Sequence, residues 1–228
     1  MPLPRLSRTI PLLVALIGVG PAAADDIACP GAAVTIRGAA PEIAARLCDS
    51  AGTAIAGLTA CGLSQRRPIT VEVVPVVYHP FAICLAAFDC DYDRVRLVLR
   101  DDYAGLVAED DPYALLPPDR LVAALLSHEL AHALVWQTAE GRAVPLVDHE
   151  YIAAAMELEG MAPETRQTVL DATGLTGADE GRVNIRTYRL EPRRFAANAW
   201  LHFREDGNGC ALIAGLVAGT RSFEPGSK

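Results

Sequence analysis

The segment PPDRLVAALLSHELAHALVWQ, residues 117–137, begins with a double proline and then distributes apolar side chains around every side of a helical wheel. Leu121, Val122, Leu125, Leu126, Leu130, Leu134, Val135 and Trp136 leave no polar face, so the spacing predicts a helix buried in the core, capped by Asp119 and running to about Gln137. Ser127-His128-Glu129-Leu130-Ala131-His132 interrupts that apolar surface with an HExxH pattern. Unpaired buried polar groups cost roughly 1–3 kcal/mol each, and a single metal ion would satisfy all three.

Histidines four residues apart stack on one helix face, where each can offer a ring nitrogen to one tetrahedral ion. The expected ion is Zn2+, held by His128 and His132. Glu129 follows His128 by about 100° around the helix, beside the water such an ion would activate, and is the expected general base. A hydrolytic zinc site takes a third protein ligand and keeps one position open. Downstream, VDHEYIAAAMEL (residues 147–158) reads as a second helix on which Ala153, Ala154 and Glu157 share the face of Glu150. Small neighbours let Glu150 approach the ion, making it the expected third ligand, with Glu157 and then His149 as alternatives. Glu157 could instead orient His128 or His132 through the other ring N–H.

Outward from this pair, Val34 to Arg37, Ile69 to Tyr78 and Arg94 to Leu99 read as strands, the second bent or placed at an edge by Pro75. Pro41 to Ala60, Leu146 to Gly160, Glu164 to Ala172, Arg193 to Phe203 and Cys210 to Ala218 read as helices. The expectation is an α+β fold in which a small sheet precedes a helical region. No linker divides residues 25–228, which are expected to form one domain.

Residues 1–24 carry Arg5 and Arg8, a short apolar run and Pro21-Ala22-Ala23-Ala24, the pattern of a signal peptide cut after Ala24. The run is too short for a membrane anchor. The chain is thus expected to be periplasmic or secreted, and its formal charge of −8 disfavours nucleic acid as a partner. Six cysteines, at 29, 48, 61, 84, 90 and 210, suggest three disulfides in an oxidising compartment. Cys84 and Cys90 alone look local enough to pair across a short loop between strands.

HExxH on one helix and a glutamate on the following one resembles the gluzincin class of zinc metallopeptidases. The run Leu126 to Val135 and the later Glu150 to Met156 are also similar to an uncharacterised family of secreted proteobacterial proteins. The resemblance spans about residues 119 to 172 and implies a zincin-like region with His128, His132 and Glu150 as ligands and Glu129 as base. Ala154 stands where many gluzincins carry an aspartate, and the glycine and third histidine of the metzincin pattern are absent.

The resulting expectation is an exported zinc hydrolase acting on a peptide or protein substrate, the alternative being a non-catalytic zinc-binding module. Tyr151, Tyr188 and His202 are candidates for stabilising an oxyanion, and each also reads as a core aromatic. His79 reads as structural, and Arg193 and Arg194 as a solvated helix start that could reach a substrate carboxylate. About a hundred residues of the mature part precede the motif; they hold at least two of these strands and up to five cysteines, and so read as part of the fold rather than as a removable prosegment.

Overall fold

Strand β2 (Val34–Arg37) leads through Gly38 into helix α1 (Pro41–Ala60), which returns the chain to β3 (Ile69–Val74). The computed structural model describes residues 26–79, 82–101, 103–224 and 226; the expected signal peptide lies outside them. Pro41 starts α1, where a missing N–H costs nothing, and Ala44, Leu47, Cys48, Ala51, Ala54 and Leu58 form its buried stripe. β2 and β3 pair in parallel, as a helical crossover requires.

Pro75 ends β3, and the expected single strand over 69–78 is two: β3 and β4 (Val77–His79), with His79 closing the latter. β4 pairs with β5 (Ala82–Cys84) as a separate hairpin. β6 (Ala86–Asp89) and β7 (Arg94–Val98) then complete a five-stranded mixed sheet of order β1-β2-β3-β7-β6, where β1 is Ile27–Ala28. β3 and β7 do pair, in parallel, and β6 runs antiparallel along the outer side of β7. Val34, Ile36, Ile69, Val71, Val95 and Leu97 are buried at alternate positions, so one sheet face supplies the core.

The remaining chain is helical: α2 (Pro118–Ala139), α3 (Leu146–Gly160), α4 (Pro163–Thr173), α5 (Ile185–Leu190), α6 (Pro192–Phe203) and α7 (Gly209–Ala218). The fold is α+β, with one continuous cluster of buried apolar side chains. α2 matches its expected extent but is not capped by Asp119: Pro117 takes the cap position, and Asp119 lies in the first turn, where its charge complements the helix dipole. No helix among the described residues is long and apolar enough to cross a membrane.

Two disulfides staple the chain. Cys29–Cys48 ties the β1–β2 hairpin to α1, and Cys61–Cys210 ties the end of α1 to the start of α7 across 149 residues. The expected Cys84–Cys90 bridge is absent and both thiols are free. The intervening residues form β6 rather than a loop, and an extended strand of four residues spans roughly 10 Å, more than the Cα separation of about 7 Å that a disulfide allows.

Gly38 couples the two parallel strands at close quarters. Its φ is +78°, and a Cβ there would lie 2.8 Å from the carbonyl oxygen of Val73. Gly38→Ala is therefore expected to destabilise the fold by about 1–3 kcal/mol, read from urea unfolding. An unchanged midpoint would show that the β2–α1 turn relaxes freely.

Candidate metal centre

α2 carries His128 and His132 on the side that faces α3. The two helices pack against each other, and Ala153 and Ala154, which share the helix face of Glu150, are buried. That closeness brings Glu150 up to the two imidazoles. His128 Nε2 and His132 Nε2 are 3.1 Å apart, and the Glu150 carboxylate oxygens lie 3.6 Å from the first and 3.7 Å from the second. Donor atoms of the three residues all lie within 4.8 Å of one another.

These separations match a metal centre. Ligands about 2.0–2.1 Å from a tetrahedral ion sit roughly 3.3 Å from each other. The contacts from Glu150 to the imidazoles are too long for hydrogen bonds, and its Oε2 is buried without a hydrogen-bond partner. A cation is the natural complement of an orphaned carboxylate oxygen between two imidazoles. The His128 and His132 side chains remain 21% and 15% exposed, so the cluster opens to solvent on one side.

Each imidazole is held from behind. Glu157 Oε2 lies 2.9 Å from His128 Nδ1, and His149 Nδ1 lies 3.4 Å from His132 Nδ1. The two alternatives for the third ligand therefore sit on the Nδ1 sides of the rings, away from the point where the Nε2 atoms meet Glu150. His128 donates to Glu157, fixing the tautomer that directs Nε2 inward.

Glu129 reaches the other way. Its Oε2 accepts the backbone N–H of Phe88, at 2.7 Å, from β6. Leu85 accepts from Val98 N–H, so the alternation of the antiparallel ladder turns Phe88 away from β7. Glu129 therefore lies along the outer edge of the sheet, next to the cluster. Of the three oxyanion candidates, Tyr188 lies beside Glu150, and its charge environment includes Glu129 and Cys84. Tyr151 and His202 are instead paired with each other at 3.0 Å in the core.

A protein-family model matches residues 34–226, and its description reads "Family of unknown function (DUF6639)". The chain belongs to this family. No curated protein and no solved structure matches it. Membership in DUF6639 assigns no role to any of these side chains, so the chemistry rests on their geometry.

Electrostatics separate the members of the cluster. Burial pushes Glu129 up, His128 offsets part of that, and Glu150 adds to it, leaving its carboxyl at about 7. Burial also raises Glu150, but the facing imidazoles outweigh it and hold that carboxyl at about 2. Burial drives His132 down to about 4, and burial with the neighbouring His132 does the same to His149. His128 goes the opposite way: burial lowers it, but Glu150 and Glu157 raise it well above its ordinary 6.5. Without an ion, a protonated His128 would donate from Nε2 to a neutral His132 across the 3.1 Å contact.

Any ion held here must displace that proton. Affinity for a divalent ion is therefore expected to rise with pH, about tenfold per unit while His128 remains protonated. Calorimetric titration at pH 7 in buffers of different ionisation enthalpy is expected to show about one proton released per ion. No net proton release would contradict the assignment of the shared proton.

Proposed function

We propose that this chain is an exported zinc-dependent hydrolase, and that its substrates are peptides or proteins. The observation that carries the proposal is the convergence of His128, His132 and the orphaned Glu150 carboxylate at a site open to solvent on one side. Structural zinc sites are closed by four protein ligands, whereas catalytic sites have three and an opening. The resemblance of the two helices to those of gluzincin peptidases points the same way. Two disulfides and the leader-like N-terminus support export to the periplasm or beyond.

His128, His132 and Glu150 would hold a zinc ion, which would supply Lewis acidity toward a carbonyl and lower the pKa of nearby water. Glu129, with its carboxyl near 7 and steadied by Phe88 N–H, takes a proton from the attacking water and returns it to the leaving amine. Tyr188 is the hydroxyl best placed to donate to the developing oxyanion. The outer edge of β6 supports the peptide reading. No strand pairs with that edge among the described residues, and an extended peptide can lay its backbone along such an edge within reach of Glu129.

Elemental analysis of the purified chain is the first test. One zinc per chain is expected, lost in His132→Ala and in Glu150→Ala; no zinc after reconstitution would sink the proposal. Glu129→Gln is expected to keep zinc and lower turnover of a peptide library by about 10²- to 10⁴-fold. Equal, negligible turnover in wild type and variant would favour a non-catalytic zinc-binding module instead. Tyr188→Phe is expected to lower kcat by about 10²-fold with KM nearly unchanged. An unaltered kcat would remove Tyr188 from the chemistry.

A further inference from the structure

Behind His128 the structure holds a chain of contacts that the three ligands do not require. Glu157 is buried, and both its oxygens are used: Oε2 faces His128 Nδ1, and Oε1 accepts the hydroxyl of Tyr113 in a short hydrogen bond. Tyr113 is fully buried in the 3-10 turn Pro112–Leu115. The guanidinium of Arg193, from α6, lies 3.6 Å from the centre of its ring. Asp111 then closes the arrangement, accepting from Arg193 Nε with both oxygens, at 3.0 and 3.1 Å, and from the backbone N–H of Tyr113 at 2.8 Å.

We propose that Tyr113 and Arg193 are positioning residues of the metal centre: they lock Glu157 so that it holds His128 with Nε2 directed at the ion. This rests on the metal-centre reading above. The argument begins with Glu157 itself. A carboxylate with one free oxygen could rotate, or swing toward the ion as a competing ligand. Tyr113 removes that freedom by occupying Oε1. The phenol is in turn fixed at both ends, its backbone by Asp111 and its ring face by Arg193.

A purely structural role explains less. A buried phenol needs only one acceptor, and any backbone carbonyl would serve. Here it is matched to the one carboxylate that touches a metal-facing imidazole. The arrangement also draws on separate elements: Asp111 and Tyr113 precede α2, Glu157 is on α3 and Arg193 starts α6. Among the described residues, His132 lacks such a backing and has the imidazole of His149 at 3.4 Å. The two histidines are thus held unequally, and His128 is the more rigid ligand.

The test uses the full folded chain with inorganic Zn2+ as probe, in competition with a chromophoric chelator. Tyr113→Phe removes only the hydroxyl and is expected to weaken zinc binding by about 10- to 100-fold. In a Glu157→Gln background, the same substitution is expected to change affinity by less than about twofold, because its route to His128 is gone. Once the Nε2 proton has been titrated off at high pH, nitrogen-15 signals of the metal-free His128 ring are expected to show the Nδ1–H tautomer in the wild type and a mixture in Tyr113→Phe. Equal losses in both backgrounds, or wild-type affinity in Tyr113→Phe, would overturn the inference while leaving the metal centre intact. If Tyr113→Phe does not fold, Arg193→Gln carries the same comparison from a half-buried position. A wild-type chain that takes up neither Zn2+ nor Co2+ overturns the metal-centre reading, and this inference with it.

Discussion

Two glutamates buried on one helix set the terms for much of this molecule. Glu150 and Glu157 both project from α3 into the interior, where an uncompensated charge costs several kcal/mol. Each finds an imidazole on α2. The register between the two helices is therefore held by charge as well as by the alanines that let them meet. Sliding α3 by one turn would bury the same apolar surface but strand both acids. The sheet answers to the same demand from the other side, since Phe88 N–H partners another buried acid, Glu129.

The five-stranded sheet thus acts as a platform whose last strand borders the cluster. Its parallel half, β2, β3 and β7, is buried under helices in the usual way, while the antiparallel β6 forms the rim. Placing an edge strand of the sheet next to the polar cluster puts the buried core and the cluster on adjoining parts of the fold. Precision comes from the core, and access comes from the edge.

Much of this was readable from the residues because the decisive signals are local. The apolar wrapping of residues 119–137, the proline at 41 and the face shared by Glu150, Ala153, Ala154 and Glu157 depend only on helical period. Helix α3 runs over the expected Leu146–Gly160, and its wheel brought forward the carboxylate that meets the histidines. What escaped notice is non-local. Tyr113 sits in a short turn with no periodic pattern, and the Phe88 contact is made by backbone, which carries no side-chain signature. Arg193 read as a solvated helix start because its partners, Asp111 and Tyr113, lie some eighty residues away. Cys84 and Cys90 looked like a pair because AAFD is a weak strand on its own; its extended form comes from pairing with β7. The bridges that do form join residues whose proximity only the tertiary fold creates.

The Cys61–Cys210 bridge also bears on how the chain survives around proteases. The bonded cysteines bracket α2, α3 and every member of the histidine and glutamate cluster. A single backbone cut at any exposed loop between them yields two pieces that remain covalently joined. Hydrolysis there does not release a fragment, so the packed halves keep a high effective concentration for each other. Damage that would scatter an unbridged chain leaves this one nicked but whole.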